Sequence, residues 1–190
     1  MMRTTTLCLF TLAILACNPD KGESDTDGSA AGSCADYCAK LDECGDPQAA
    51  ECLEGCPLGV ARYEYAGKAC GALYGESLAC RTAATCEELA NDEGLCEHKL
   101  EALIVDACTT DLCDRYADRL IECNSIPADG KVFTGFECTM ALSEARVEIS
   151  AACGDAAEAS IACVLKLECG EIQSSESCAA EAMAKDMVCE

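Results

Sequence analysis

The chain reads as all-α: two tandem disulfide-stapled helical-hairpin modules after a flexible tether. Three observations point there. Sixteen of the 20 cysteines form two sets of eight in the same order. Apolar residues between them follow helical spacing, and the alternating β-branched and aromatic runs of strands are scarce. Aromatic residues make up 4% of the chain, with no Trp, so covalent staples must replace a large aromatic core.

The repeat is legible residue by residue. Ala69-Cys70-Gly71, Ser77-Leu78-Ala79-Cys80 and Cys86 answer to Ala152-Cys153-Gly154, Ser160-Ile161-Ala162-Cys163 and Cys169 at identical spacing. Cys38, Cys44, Cys52, Cys96 and Cys108 answer to Cys113, Cys123, Cys138, Cys178 and Cys189. This self-similarity marks a duplication, with modules at 34–108 and 109–190. The first copy carries two extra cysteines, Cys34 and Cys56. The gap from Cys113 to Cys123 is longer than that from Cys38 to Cys44 by about one helical turn.

Helix signals then follow in order. Ser33 with Asp36 forms a capping box for a first helix that Gly45 ends. Asp46 and Pro47 supply the N-cap and first residue of a second, closed by Gly55 and Pro57. A third is expected from about Ala61 to Thr82. A fourth is expected from about Asp92 to Ala107, with Leu95, Leu100, Leu103 and Ile104 on its apolar face. Thr110 to Cys123, Phe136 to Cys153 and Asp155 to Leu167 repeat the theme. Gly67, Gly71 and Gly75, four residues apart, allow close packing near Cys70 or weaken that helix.

Antiparallel helices bridged twice pair positions of nearly constant index sum. Cys34 with Cys56 and Cys38 with Cys52 share a sum of 90, and the four-residue spacing puts both sulfurs of each helix on one face. This arrangement resembles the CX3C helical hairpins of secreted and intermembrane proteins. Cys113 with Cys138 is the single matching rung of the second copy. The same rule offers Cys80–Cys96, Cys70–Cys108, Cys163–Cys178 and Cys153–Cys189, leaving Cys44–Cys86 and Cys123–Cys169 as links between hairpins.

The N-terminus carries a different message. Arg3, an apolar run from Leu7 to Ala16, and Leu12-Ala13-Ile14-Leu15-Ala16-Cys17 have the parts of a signal peptide. The segment is shorter than the about 20 residues of a membrane span. It resembles the lipobox of bacterial lipoproteins, which implies removal of residues 1–16 and lipid attachment at Cys17. The resemblance implies a bacterial cell-envelope location, and Asn18 in place of the inner-membrane-retention Asp points to the outer membrane. Setting aside Cys8 and Cys17 leaves 18 cysteines, an even number suited to full pairing in an oxidising compartment. Residues 17–33 are polar and Gly- and Ser-rich, a tether with a reach of about 20–24 Å.

A net charge of −22 argues against nucleic acid as a partner. Expected partners are instead the membrane, through the lipid, and a protein or envelope component. A catalytic role is not expected. His98, the single histidine, sits between Glu97 and Lys99 as a solvent-facing helix residue, and a hydrolase of the Ser-His-Asp or Cys-His type would have to use it. No C-x2-C occurs, which leaves out zinc-ribbon, thioredoxin-like and haem-attachment motifs. Neither a metal nor a cofactor is expected. One alternative is a Cu(I) thiolate cluster from Cys34, Cys38, Cys52 and Cys56, with a resemblance to the cysteine-lined copper-storage bundles, which repeat cysteines far more densely.

The expected reading is a lipid-anchored, non-catalytic structural or binding module. Its free-thiol titre in denaturant without reductant should be near zero, and reduction should remove most of the far-ultraviolet helical circular dichroism. A spectrum unchanged by reductant would overturn the reading.

Overall fold

The computed structural model describes residues 33–91, 96, 101, 104–105, 107–172 and 177–189, and among them all regular structure is helical. The first repeat contains α1 (Cys34–Glu43), α2 (Ala49–Ala66), α3 (Lys68–Ala83) and the short α4 (Cys86–Ala90). The second contains α5 (Asp111–Glu122), a 3-10 turn (Ala128–Gly130), α6 (Lys131–Glu144) continuing into a π-helical turn (Ala145–Ile149), α7 (Ala151–Val164), the short α8 (Cys169–Ile172) and α9 (Ala179–Cys189). No helix among the described residues is long and apolar enough to cross a membrane.

Cap chemistry explains where these helices stop. Ser33 Oγ accepts the Asp36 amide at the start of α1. At the end of α1 Gly45 turns to φ 69°, its amide bonding to the Asp42 carbonyl and that of Asp46 to the Leu41 carbonyl. This is a Schellman ending. The second copy ends α5 identically, with Asn124 at φ 54° and amide bonds from Asn124 to Ile121 and Ser125 to Leu120. Asn is the residue besides Gly that enters the left-handed region at least cost. Both endings place a cysteine, Cys44 or Cys123, at the C-cap, and each bridges to the first residue of a short helix, Cys86 or Cys169.

Helix boundaries depart from the sequence reading at several points. Asp46 Oδ1 accepts the Gln48 amide at 2.8 Å, but regular helix begins at Ala49. Gly55 and Pro57 do not close α2, which runs on to Ala66. Pro57 removes one backbone hydrogen bond, to the Leu53 carbonyl. Both residues lie on the exposed side of a helix held by two bridges, where that carbonyl meets water. The expected helix 61–82 is two helices, broken at Gly67 with φ 136°. Likewise the stretch from Phe136 to Cys153 breaks at Ser150, whose extended backbone and side chain cap α7 by accepting the Cys153 amide. Gly67 and Ser150 are equivalent, three residues before Cys70 and Cys153. The expected helix 92–107, with Leu95, His98, Leu100 and Leu103, falls mostly outside the described residues.

Among the described residues nine bridges form, and they coincide with six pairs read from index sums, Cys34–Cys56, Cys38–Cys52, Cys70–Cys108, Cys80–Cys96, Cys153–Cys189 and Cys163–Cys178, with the matching rung Cys113–Cys138, and with the remaining links Cys44–Cys86 and Cys123–Cys169. They form much of the interior. Of 14 buried apolar residues among those described, eight are half-cystines and four are leucines, Leu41, Leu78, Leu120 and Leu142. Where the second copy lacks the extra rung, Leu142 and Thr109 occupy the places of Cys56 and Cys34, each four residues from its anchoring cysteine. Leu142 is 2% exposed and fills the position by packing rather than by a bond.

The duplicated Ala-Cys-Gly also gains a reason. A Cβ on Gly71 would lie 2.9 Å from Glu64 Cγ, and one on Gly154 would lie 2.6 Å from Arg146 Cβ and 3.0 Å from its Cα. Each glycine lets its helix press against the end of the one before. Gly55, by contrast, faces open space in mid-helix. Gly154→Ala should destabilise by about 1–3 kcal/mol, whereas Gly55→Ala should stabilise by about 0.5–1 kcal/mol through helix propensity. Thermal melts of the two variants should therefore shift in opposite directions.

Candidate ligand site between the repeats

The repeats meet where the C-terminal half of α2 crosses α6 and the π turn. Charge pairing lines one side of the junction. Arg62 bridges to Glu144 at 3.4 Å and Glu148 at 3.0 Å. The Tyr65 hydroxyl donates to Glu158 Oε1 at 2.7 Å. Arg146 pairs with Glu158 at 3.1 Å and with Asp155, and its guanidinium sits 5.8 Å from the Tyr65 ring centroid. Tyr65 of the first repeat is thus held by an acid and a base of the second. Such partly exposed pairs contribute only about 0–1 kcal/mol each, so they set register more than stability.

Aromatic residues line the other side. Tyr63 near the end of α2 stacks on Tyr74 of α3, with ring centroids 4.4 Å apart and planes 12° from parallel. The stack needs Gly59, since a Cβ there would lie 2.5 Å from the Tyr74 hydroxyl. One part of Tyr74 packs on the core of Cys38, Cys56 and Leu78, and burial raises its phenol above the usual value. Tyr63 and Tyr74 also line a cavity of about 270 Å³ together with Leu78, Ile104 and Val105 of the first repeat and Phe133 and Phe136 of the second. Ser77, Arg81 and Glu101 supply its polar groups.

This clustering is the feature that sequence reasoning missed. Only eight aromatic side chains occur in the whole sequence, and four of them line one cavity although they are spread from residue 63 to residue 136. Their scarcity was itself the available signal: a chain that builds its core from sulfur has few structural demands for aromatic rings.

Other sequence-derived positions fall as follows. Cys17 and His98 lie outside the described residues. Cys34, Cys38, Cys52 and Cys56 are bonded in two pairs, which leaves them no thiolate for Cu(I). Cys163, Cys178 and Glu181 lie within metal-ligating reach of one another, but those sulfurs are bonded to each other. No family model matches the chain, and no curated protein or solved structure matches it.

Burial, reinforced by the hydrogen bond to Glu158, pushes the Tyr65 phenol up to about 12. Below pH 10 this residue is neutral in folded and unfolded chains alike, and its stabilising contribution is complete. As pH rises from about 10 to 12 the unfolded chain alone releases the proton, and that contribution is lost. Tyr65→Phe should cost about 1 kcal/mol at neutral pH and should flatten the stability loss between pH 10 and 12. Denaturant titrations across that range will read both effects.

Proposed function

We propose that the chain is an outer-membrane lipoprotein of a bacterial cell envelope, anchored through Cys17, that serves as a non-catalytic binding module. The observation that carries the binding role is the cavity between the repeats. A preformed recess with mostly apolar and aromatic walls and a few polar groups is the usual form of a small-molecule site. Two of its walls are tied covalently, because Cys70–Cys108 joins α3, which carries Tyr74 and Leu78, to the end of the segment carrying Ile104 and Val105.

Location follows from the same bonds and from the N-terminus. Nine disulfides belong to an oxidising, extracytoplasmic compartment. The lipobox-like segment ending at Cys17 supports a lipid anchor. The polar residues that follow would hold the folded repeats off the headgroups while leaving the cavity open to the surroundings.

Cys17→Ser separates this reading from that of a freely secreted protein. The wild-type chain should sediment with outer membranes and incorporate labelled palmitate. The variant should lose the label and the membrane association together. A variant still sedimenting with membranes, or an unlabelled wild-type chain, would refute the anchor.

A further inference from the structure

Duplication supplies an internal control for the cavity. Between Cys70 and Cys80 the first copy aligns without gaps on Cys153 to Cys163, so Ser77 matches Ser160, Leu78 matches Ile161, and Tyr74 matches Ala157. The second copy builds its own cavity, of about 360 Å³, from Ala157, Ser160 and Ile161. Position 7 after Cys52 is Gly59, and position 7 after Cys138 is Ala145, which lines the second cavity. The scaffold therefore folds with an Ala–Ala pair where the first copy carries the complementary Gly59–Tyr74 pair. The helical frame does not require an aromatic ring at this place.

The second repeat adds Phe133 and Phe136 to the first cavity. Phe133 remains 60% exposed, so its ring is incompletely covered by the protein itself. Flat ring faces favour offset or edge contact with another ring system. The volume lies just below the usual range for drug-sized ligands, which suits a molecule of about two fused rings. Net charge disfavours anions, and the wall carries no excess of either sign. At −22 the chain repels anions at long range, and the cavity wall carries Arg81 and Glu101, one group of each sign.

We propose that the cavity lined by Tyr63, Tyr74, Phe133 and Phe136 is a binding site for small, uncharged, planar aromatic molecules. This rests on the reading of the chain as a binding module and names its ligand class. Tyr63 and Tyr74 supply a stacked wall from the first repeat, and the two phenylalanines bring the second repeat into the same site. Ligand occupancy then couples the two repeats, because both contribute to one recess.

The test uses the full chain carrying Cys17→Ser, oxidised and free of detergent, so that no micelle competes for the probe. The probes are 2-naphthol, neutral at pH 7, and its anionic analogue naphthalene-2-sulfonate, each titrated by calorimetry. The expected result is saturable one-to-one binding of 2-naphthol and weaker binding of the sulfonate. Phe133→Ala, a change at an exposed position, should weaken 2-naphthol binding by about three- to tenfold with circular dichroism unchanged. Tyr74→Ala, which installs the residue of the second copy, should weaken it at least as much, and its melting curve separates this from loss of fold. Ala157→Tyr in the other cavity should leave affinity unchanged. Tighter sulfonate binding that Phe133→Ala weakens overturns the ligand class while leaving a binding module. Absence of saturable binding by either probe in a folded chain overturns both, as does 2-naphthol binding indifferent to Phe133→Ala and Tyr74→Ala.

Discussion

Disulfide bonding is the constraint on which the rest of this structure depends. A chain with no Trp and few aromatic rings has little large apolar area to bury. Half-cystines instead make up most of the buried apolar positions among the described residues. Each bridge typically stabilises by about 2–4 kcal/mol, largely by restricting the unfolded chain, while its sulfur atoms also pack as apolar volume. Bonds spanning as few as 14 and as many as 46 residues tie local hairpins and distant segments into one framework. Replacement of one rung by Leu142 in the second copy shows that packing can take over a single link when neighbouring links remain.

Helix ends and bridges are coupled. Cys44 and Cys123 each sit at a C-cap, immediately before a residue in the left-handed region, and each holds the first residue of a short helix. At Cys86 that short helix is nucleated by a capping box between Thr85 and Glu88, and hydrogen bonds from Thr85 hold the Glu88 carboxyl below the usual carboxylate range. Helices this short are unstable by themselves. Cap and covalent bond together supply what length cannot.

The repeats are joined by different physics. Few cations serve a chain with 35 acidic residues, and two arginines, Arg62 and Arg146, are spent at the junction, where acids from the second repeat converge on α2. These contacts orient the repeats. The stacked tyrosines and the two phenylalanines line the adjoining recess, so the proposed ligand site sits beside the contacts that hold the two halves in register.

Much of this protein is legible in its sequence. All-α content followed from the scarcity of strand patterns, and the hairpin bridges from index sums, because a sulfur–sulfur bond needs its two Cα atoms about 4.4–6.8 Å apart and antiparallel helices meet that at matched heights. Helix ends at Gly45 and Ser33 were legible, since caps are local events governed by neighbouring residues. The passage of α2 through Pro57 was not, because the cost of proline depends on whether its orphaned carbonyl faces water. Nor was the break at Gly67, where φ 136° suits glycine but the need for a break comes from docking α3 back on α2. The aromatic cavity lay furthest from view. Its rings come from both repeats and meet only because the orientation of α6 on α2 brings them together. The sequence by itself determined the helical class, the repeat and the sulfur framework, which are set by local pattern and pairing. Only the tertiary structure decided which side chains share a site, because that depends on the angle between two already folded repeats.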